Sequence, residues 1–252
     1  MTFSSVNHYA NLAEYYNNLM LGGYYDYQAQ AQTVASLIPP GTPILEVGAG
    51  TGLMLKQLMS LGYPVAGIDH TAAMLDQARV LLGPDVPLTE ADVTDFDLGQ
   101  QYGAALSNGG VWYGVRWEDG SFGYCGHLPD PQAVAASLRC VARHVGPGGL
   151  LALSIQDAHV DKTMPLPDGV TYEQRIHDKG HGVFDKEYMF VRDSDGQRLC
   201  YERLTLCYID SALFEGEMRS SGFAGPEISE DERYMIFRRV DDAAGAAAGT
   251  GA

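Results

Sequence analysis

The stretch Ile44-Leu45-Glu46-Val47-Gly48-Ala49-Gly50-Thr51-Gly52 constrains the fold of this chain more than any other. A short apolar run stops at glycines spaced GxGxG, and an apolar helical pattern resumes with Leu53, Leu55 and Leu58. The pattern reads as strand, tight turn, helix. Glycine tolerates positive φ and has no Cβ, so the backbone can bend sharply there and a ligand can lie against it. The first N–H groups of the new helix are unpaired at the same point. A dinucleotide site would continue as GxGxxG, but Leu53 stands where the third glycine belongs.

Two acids extend the pattern. Glu46 precedes the turn, and Asp69 ends the next apolar run, Val65-Ala66-Gly67-Ile68, a little more than ~20 residues on, where such folds place a ribose-binding acid. The ordered set of Glu46, the GxGxG turn and Asp69 resembles the S-adenosylmethionine (SAM) site of the class I methyltransferases. The resemblance implies that Glu46, Gly48, Ala49, Gly50 and Gly52 border the methionine end of the cofactor. Asp69, followed by His70 and Met74, would border the ribose. It also places Asp92 against the adenine amine and Val93 at the ring; alternatively Asp92, Asp95 and Asp97 are turn caps.

Composition narrows the partners. The net charge is −16, from 16 basic and 32 acidic residues, which repels a polyphosphate backbone, so nucleic acid is an unfavourable substrate. No run of eighteen or more apolar residues suggests a membrane span. The segment Met1 to Asn7 lacks the basic and apolar regions of a secretory signal, so a cytoplasmic enzyme is expected. Cys125, Cys140, Cys200 and Cys207 form no CxxC pair and read as buried thiols, and no tight metal spacing appears.

The chain ahead of the glycine turn is dense in tyrosine, with Tyr9, Tyr15, Tyr16, Tyr24, Tyr25 and Tyr27. Tyr9, Leu12, Tyr16 and Leu19 recur at helical spacing, Gly22-Gly23 breaks this helix, and a second runs from about Tyr27 to Leu37. The resemblance makes these helices a lid, with Tyr16 at the cofactor and Tyr24 and Tyr25 at the reacting group; alternatively the rings simply pack. A fourth strand, Tyr102 to Leu106, opens into a loop from Ser107 to Tyr113 that should border the reacting methyl. Ser107 and Asn108 are then cofactor candidates, and Trp112 and Tyr113 acceptor-pocket walls. The loop has no Pro-Pro, so the [DNS]PP[YFW] chemistry of other methyltransferases is not supported.

A glycine-aromatic stretch, Ser121 to Leu128, brings His127 toward the same end of the sheet, where it is either a general base or a helix-capping histidine. A helix from Gln132 to His144, a Gly-Pro-Gly-Gly turn and a buried strand, Leu150 to Ile155, follow and deliver Gln156 and His159 to the site. Between Gly169 and Ile209 the pattern alternates around Asp193-Ser194-Asp195-Gly196, as antiparallel strands do. His177 and His181 read as solvated loop histidines.

The expected fold is α/β: a seven-stranded, mostly parallel class I methyltransferase sheet with an antiparallel last strand and helices on both faces. Expected segments are a helical lid (1–40), a SAM-binding core (41–160), an inserted antiparallel sheet after the fifth strand (161–210), the end of the core (211–240) and a disordered tail (241–252). The resemblance implies methyl transfer from SAM to N, O or an activated C of a small, ring-bearing or hydrophobic molecule, as in secondary metabolism. Neither nucleic acid nor membrane is an expected partner, and the chain would be a monomer or homodimer. A cyclase-like use of the fold and a non-catalytic SAM-binding partner stay open, because function lives in the site.

Overall fold

The computed structural model describes residue 9 and residues 11–240, so the tail expected to be disordered, 241–252, and the segment Met1 to Asn7 lie outside the described residues. In chain order, α1 (Ala13–Leu19), a π-helical turn (Met20–Tyr24) and α2 (Tyr27–Leu37) lead into β1 (Ile44–Val47). Next come α3 (Leu53–Ser60), β2 (Val65–Asp69), α4 (Ala72–Leu82), β3 (Leu88–Glu90) and β4 (Tyr102–Ser107). A hairpin, β5 (Trp112–Arg116) and β6 (Phe122–Gly126), precedes α5 (Pro131–His144) and β7 (Val145–Asp157). Then β8 (Lys162–Leu166), β9 (Val170–Gly180), β10 (Val183–Arg192) and β11 (Arg198–Ile209) follow, and α6 (Ser211–Ser220), β12 (Phe223–Ile228) and β13 (Tyr234–Arg239) close the chain.

The central sheet has the order β3-β2-β1-β4-β7-β13-β12. Its strands are parallel except at β13, where Tyr234 lies opposite Ser154 and Phe237 opposite Leu151. This is the seven-stranded arrangement expected from the sequence. Strand alternation splits the core between its faces. Leu45, Val47, Leu151 and Leu153 pack with α5 and α6, while Ile44, Leu106, Leu150 and Ala152 pack with α2 and α3. Each fully buried Leu or Phe in these layers contributes about 1.5–3 kcal/mol of transfer free energy.

Helix starts follow local chemistry. The Asp26 carboxylate accepts the Ala29 N–H at 3.0 Å, Asp130 accepts Gln132 N–H at 2.9 Å ahead of Pro131, and Asp210 accepts Leu213 N–H at 2.8 Å. Thr71 precedes α4, but its buried hydroxyl has no partner; Asp69 instead accepts the Thr71 N–H at 2.8 Å.

Three local readings need correction. The segments read as loops, Ser107 to Tyr113 and Ser121 to Leu128, contain the β5–β6 hairpin, because Gly114 and Gly123 let two aromatic-rich strands pack closely beside Ile155 and Trp117. The Gly-Pro-Gly-Gly turn is a bulge inside β7, between the pairs Tyr102–Val145 and Ala104–Leu150. His177 lies in β9, with Nε2 3.1 Å from Glu187 Oε2, and not in a loop.

The second sheet joins the first through β7. Residues 155–157 of β7 pair with β5 in parallel, and the order continues β6-β11-β10-β9-β8. The inserted strands after the fifth core strand therefore share one sheet with a hairpin that comes before it.

Candidate active site

The glycine turn has the conformation its residues permit. Gly48, Gly50 and Gly52 lie at φ 75°, 53° and 80°. The N–H groups of Gly48 and Ala49 both donate to the Ile68 carbonyl at 2.9 Å, tying the turn to β2. A Cβ at Gly110 would stand 2.6 Å from the Val47 carbonyl oxygen, so the chain leaving β4 can close on the turn only as glycine. In front of the turn lies a cavity of about 680 Å³, in the range of small-ligand sites. Gly48, Gly50, Asp69, His70, Met74, Asp92 and Val93 border one part of it, and Tyr9, Tyr16 and His127 border the other. Asp69 accepts the Gly50 N–H at 2.9 Å through the oxygen not used by Thr71. Asp92 accepts both the N–H and the hydroxyl of Thr94 through Oδ1, at 2.8 and 2.7 Å.

Past Tyr16 and His127 the space narrows to a void of about 20 Å³ under the lid and the second sheet. The π-helical turn brings Tyr24 and Tyr25 there, β5 brings Tyr113, the end of β7 brings Gln156 and then His159, and β10 brings Lys186 and Tyr188. Tyr25 donates to Gln156 Oε1 at 2.8 Å, and Tyr113 Oη lies 2.7 Å from His159 Nε2. Tyr9 Oη is 3.3 Å from His127 Nε2, and the Tyr9 ring stands edge-on to Tyr16, His127 and Tyr188. Burial holds the hydroxyls of Tyr9, Tyr16, Tyr25, Tyr113 and Tyr188 well above the ordinary phenol range and raises Tyr24 to about 12. Burial also pushes His127 down to about 3, helped by His70 and Lys186, and His159 well below its usual value. At neutral pH the space offers uncharged imidazoles and phenols.

A methyltransferase-domain family profile matches residues 44–149, the run from the glycine strand to the bulge of β7. The chain is an S-adenosylmethionine-dependent methyltransferase. The dTDP-3-amino-3,4,6-trideoxy-α-D-glucopyranose N,N-dimethyltransferase of Streptomyces venezuelae is 28% identical over 181 residues, 68% of this chain and 70% of that protein. Two further sugar N,N-dimethyltransferases match over only 52% and 47% of their own length, so the chain spans about half of each. Among solved structures, S. venezuelae DesVI superposes with a TM-score of 0.70 at 21% identity, covering 91% of this chain and 98% of that one. SAM-bound CalS10, an amino pentose methyltransferase from Micromonospora echinaspora, gives a TM-score of 0.67 at 20% identity, covering 90% and 97%. At those identities the structures show the shared fold.

SAM is the cofactor of this class I methyltransferase, and the cavity fits it. A Cβ at Gly50 would meet no protein atom within 4 Å, which leaves the backbone bare toward the ligand. Asp69 is 9% accessible and borders the cavity, suited to hydroxyl donors, while Met74, Ile68 and Val93 give an apolar wall for a flat ring. Asp92 keeps Oδ2 outside its Thr94 contacts, as an amine acceptor requires.

The cavity and the inner void together gather most, though not all, of the residues singled out in the sequence. Ser107 and Asn108 are turned into the core: the Ser107 hydroxyl accepts the Trp112 N–H at 3.2 Å, and Asn108 bridges Gln30 and Tyr234 at 3.2 and 2.7 Å. Trp112 is fully buried against Phe214 on the far face of β5, because alternation sends its neighbour Tyr113 to the pocket instead. Glu46, Ala49 and Gly52 lie beneath the turn and off the cavity wall. Glu46 is buried with Oε2 unpartnered, and burial raises its pKa. A Cβ at Gly52 would stand 2.7 Å from Leu82, so this glycine serves helix packing. Unforeseen were Tyr9 as a pocket residue and Lys186. The signal for Lys186 was present: it shares the inward face of β10 with Phe184, Tyr188 and Phe190, where alternation calls for an apolar side chain.

Proposed function

We propose that this methyltransferase transfers its methyl group to the amino nitrogen of a small sugar-like acceptor held at the junction of the cavity and the inner void. The observation that carries this reading is the uncharged imidazole of His127 where the two spaces meet, beside Tyr9, whose ring in turn meets Tyr16 and Tyr188. The names of the amino-sugar relatives point the same way.

When bound, SAM supplies a methyl on a sulfonium, a leaving group that needs no protonation. What remains for the protein is alignment and exclusion of water, which in well-oriented model reactions supplies up to ~7–11 kcal/mol. A neutral His127 nitrogen can accept an N–H of the acceptor and aim its lone pair. An imidazole with a pKa of about 3 is a poor store for a proton at pH 7, so His127 orients and does not act as the general base. An amine needs no base to attack, only its neutral form. The aromatic rings of Tyr9 and Tyr16 at the junction favour the positive charge that develops on nitrogen. Tyr24 and Tyr25 stay protonated and position the acceptor through Lys186 and Gln156.

S-adenosylhomocysteine release should be measured with a 3-amino-3-deoxyhexose and with its 3-hydroxy counterpart. Turnover restricted to the amine is the expected result; equal turnover of the hydroxy sugar sinks the nitrogen assignment. The same reading keeps the enzyme in the cytoplasm as a monomer or homodimer, checked by fractionation and light scattering. Among the described residues no helix is long and apolar enough to cross a membrane.

A further inference from the structure

The inner end of the acceptor void is closed by a cation without a counter-charge. Lys186 is 2% accessible. Its Nζ donates to the Tyr24 hydroxyl at 2.8 Å and lies over the rings of Tyr24 and Tyr188, 5.2 and 4.6 Å from their centroids. No carboxylate pairs with it among the described residues, and none borders the void. An ammonium has three N–H donors, and the Tyr24 oxygen takes one. Taking such a charge out of water costs several kcal/mol unless a partner repays it. A methionine at the same inward position of β10 would fill the space without that cost.

We propose that Lys186 binds a carboxylate carried by the acceptor, so that the substrate class is an amino sugar acid and not a neutral amino sugar. The amine half of this statement rests on the nitrogen-methylation reading; the carboxylate half rests on Lys186 alone. The void beside Nζ has room for about one water-sized group, which suits a terminal carboxylate oxygen and excludes a second ring. The arrangement also orders the acceptor along one line. The carboxylate fills the void, the ring lies at its mouth beside Tyr9, Tyr16 and His127, which border both spaces, and the amine faces the cofactor cavity.

The groups facing Lys186 come from every surrounding element: Tyr24 on the π-helical turn, Tyr188 beside it on β10, Cys125 on β6, Lys162 on β8, and His127 and His159 across the void. Burial lowers Lys186 to about 7, with Lys162 adding to the shift and Cys125 opposing it. An arriving carboxylate restores the missing counter-charge, so above pH 7 its binding is coupled to proton uptake.

The test is calorimetry at pH 8 on the enzyme loaded with S-adenosylhomocysteine, run in HEPES and in Tris so that proton uptake is read from the difference in heat. The probes are D-glucuronate against D-glucose, and 2-amino-2-deoxyglucuronate against glucosamine. Each acid should bind at least about tenfold more tightly than its neutral partner, with uptake of up to one proton, and K186M should abolish both effects. K186Q serves if K186M does not fold, and melting curves of both variants establish that they have. Equal binding of acid and neutral sugar by the wild type, a preference that survives in the variants, or Lys186-dependent binding of inorganic phosphate but not glucuronate would each overturn the proposal. A glucuronate preference without methylation of either amino sugar would remove the nitrogen reading and leave the anion site standing. Methylation of both amino sugars at equal affinity would do the reverse.

Discussion

The two halves of the active site are built by different means. The cofactor half is made from consecutive chain: a glycine turn, and acids at the ends of β2 and β3, all between Glu46 and Val93. The proposed acceptor half draws single side chains, far apart in sequence, that meet in pairs around one space: Tyr9 with His127, Tyr113 with His159 and Lys186 with Tyr24. Backbone geometry governs the first and side-chain convergence the second. A binding function that uses a glycine backbone without Cβ atoms and strand-end acids can be carried by a short contiguous stretch, whereas an acceptor must be enclosed from several sides.

That contrast can be broken at several points, the largest first. Asp69→Asn should weaken SAM binding by about 10- to 100-fold in calorimetry, since hydrogen bonds to a charged group are worth ~1.5–3 kcal/mol. Near wild-type affinity would leave the cofactor half without its ribose acid. Acidification should act instead through the acceptor half. His127 and His159 bind protons more weakly folded than unfolded, so the unfolded chain takes up more protons as pH falls below the ordinary value of 6.5. Stability should then drop by on the order of 1 kcal/mol per pH unit for each histidine between pH 6.5 and the folded value, which is about 3 for His127. Chemical denaturation at pH 7 and 5.5 checks this, and H127Q should remove about half of the drop.

His127→Ala should lower kcat about tenfold while leaving the SAM Kd near wild type, because it misaligns the acceptor alone. A pH–rate profile with an acid limb that disappears in this variant would instead make His127 a proton carrier. The smallest effect belongs to Trp112→Phe. Its indole nitrogen has no partner and its ring packs on Phe214, so about 1 kcal/mol of stability is at stake and the acceptor KM should not move. A changed KM would return Trp112 to the pocket.

Legibility in the sequence followed the same division. The order of the central sheet, the antiparallel β13 and the gathering of Gly48, Gly50, Asp69 and Asp92 at one cavity could be read because each depends on a local pattern of glycines, apolar runs and strand-end acids. Tyr24, Tyr25, Tyr113, Gln156 and His159 could be nominated from their place at strand ends or in the lid. The β5–β6 hairpin was hidden, since its glycines look like loop punctuation until Ile155 and Trp117 pack against them. Ser107 and Asn108 were misplaced for a related reason: their partners, Trp112, Gln30 and Tyr234, lie 5, 78 and 126 residues away. Lys186 broke a visible alternation, and that break is the feature that marks the closed end of the pocket.

Strand β7 has a further consequence. Its middle pairs with β4 beside the glycine turn, and its last residues pair with β5 and carry Gln156 to the inner void. The strand is thus a ruler between donor and acceptor, graduated at about 3.3 Å per residue. Removing a pair of residues from it would preserve which side chains face inward. It would also move Gln156 by about 7 Å relative to the glycine turn, so the spacing of the two spaces is written into a backbone length.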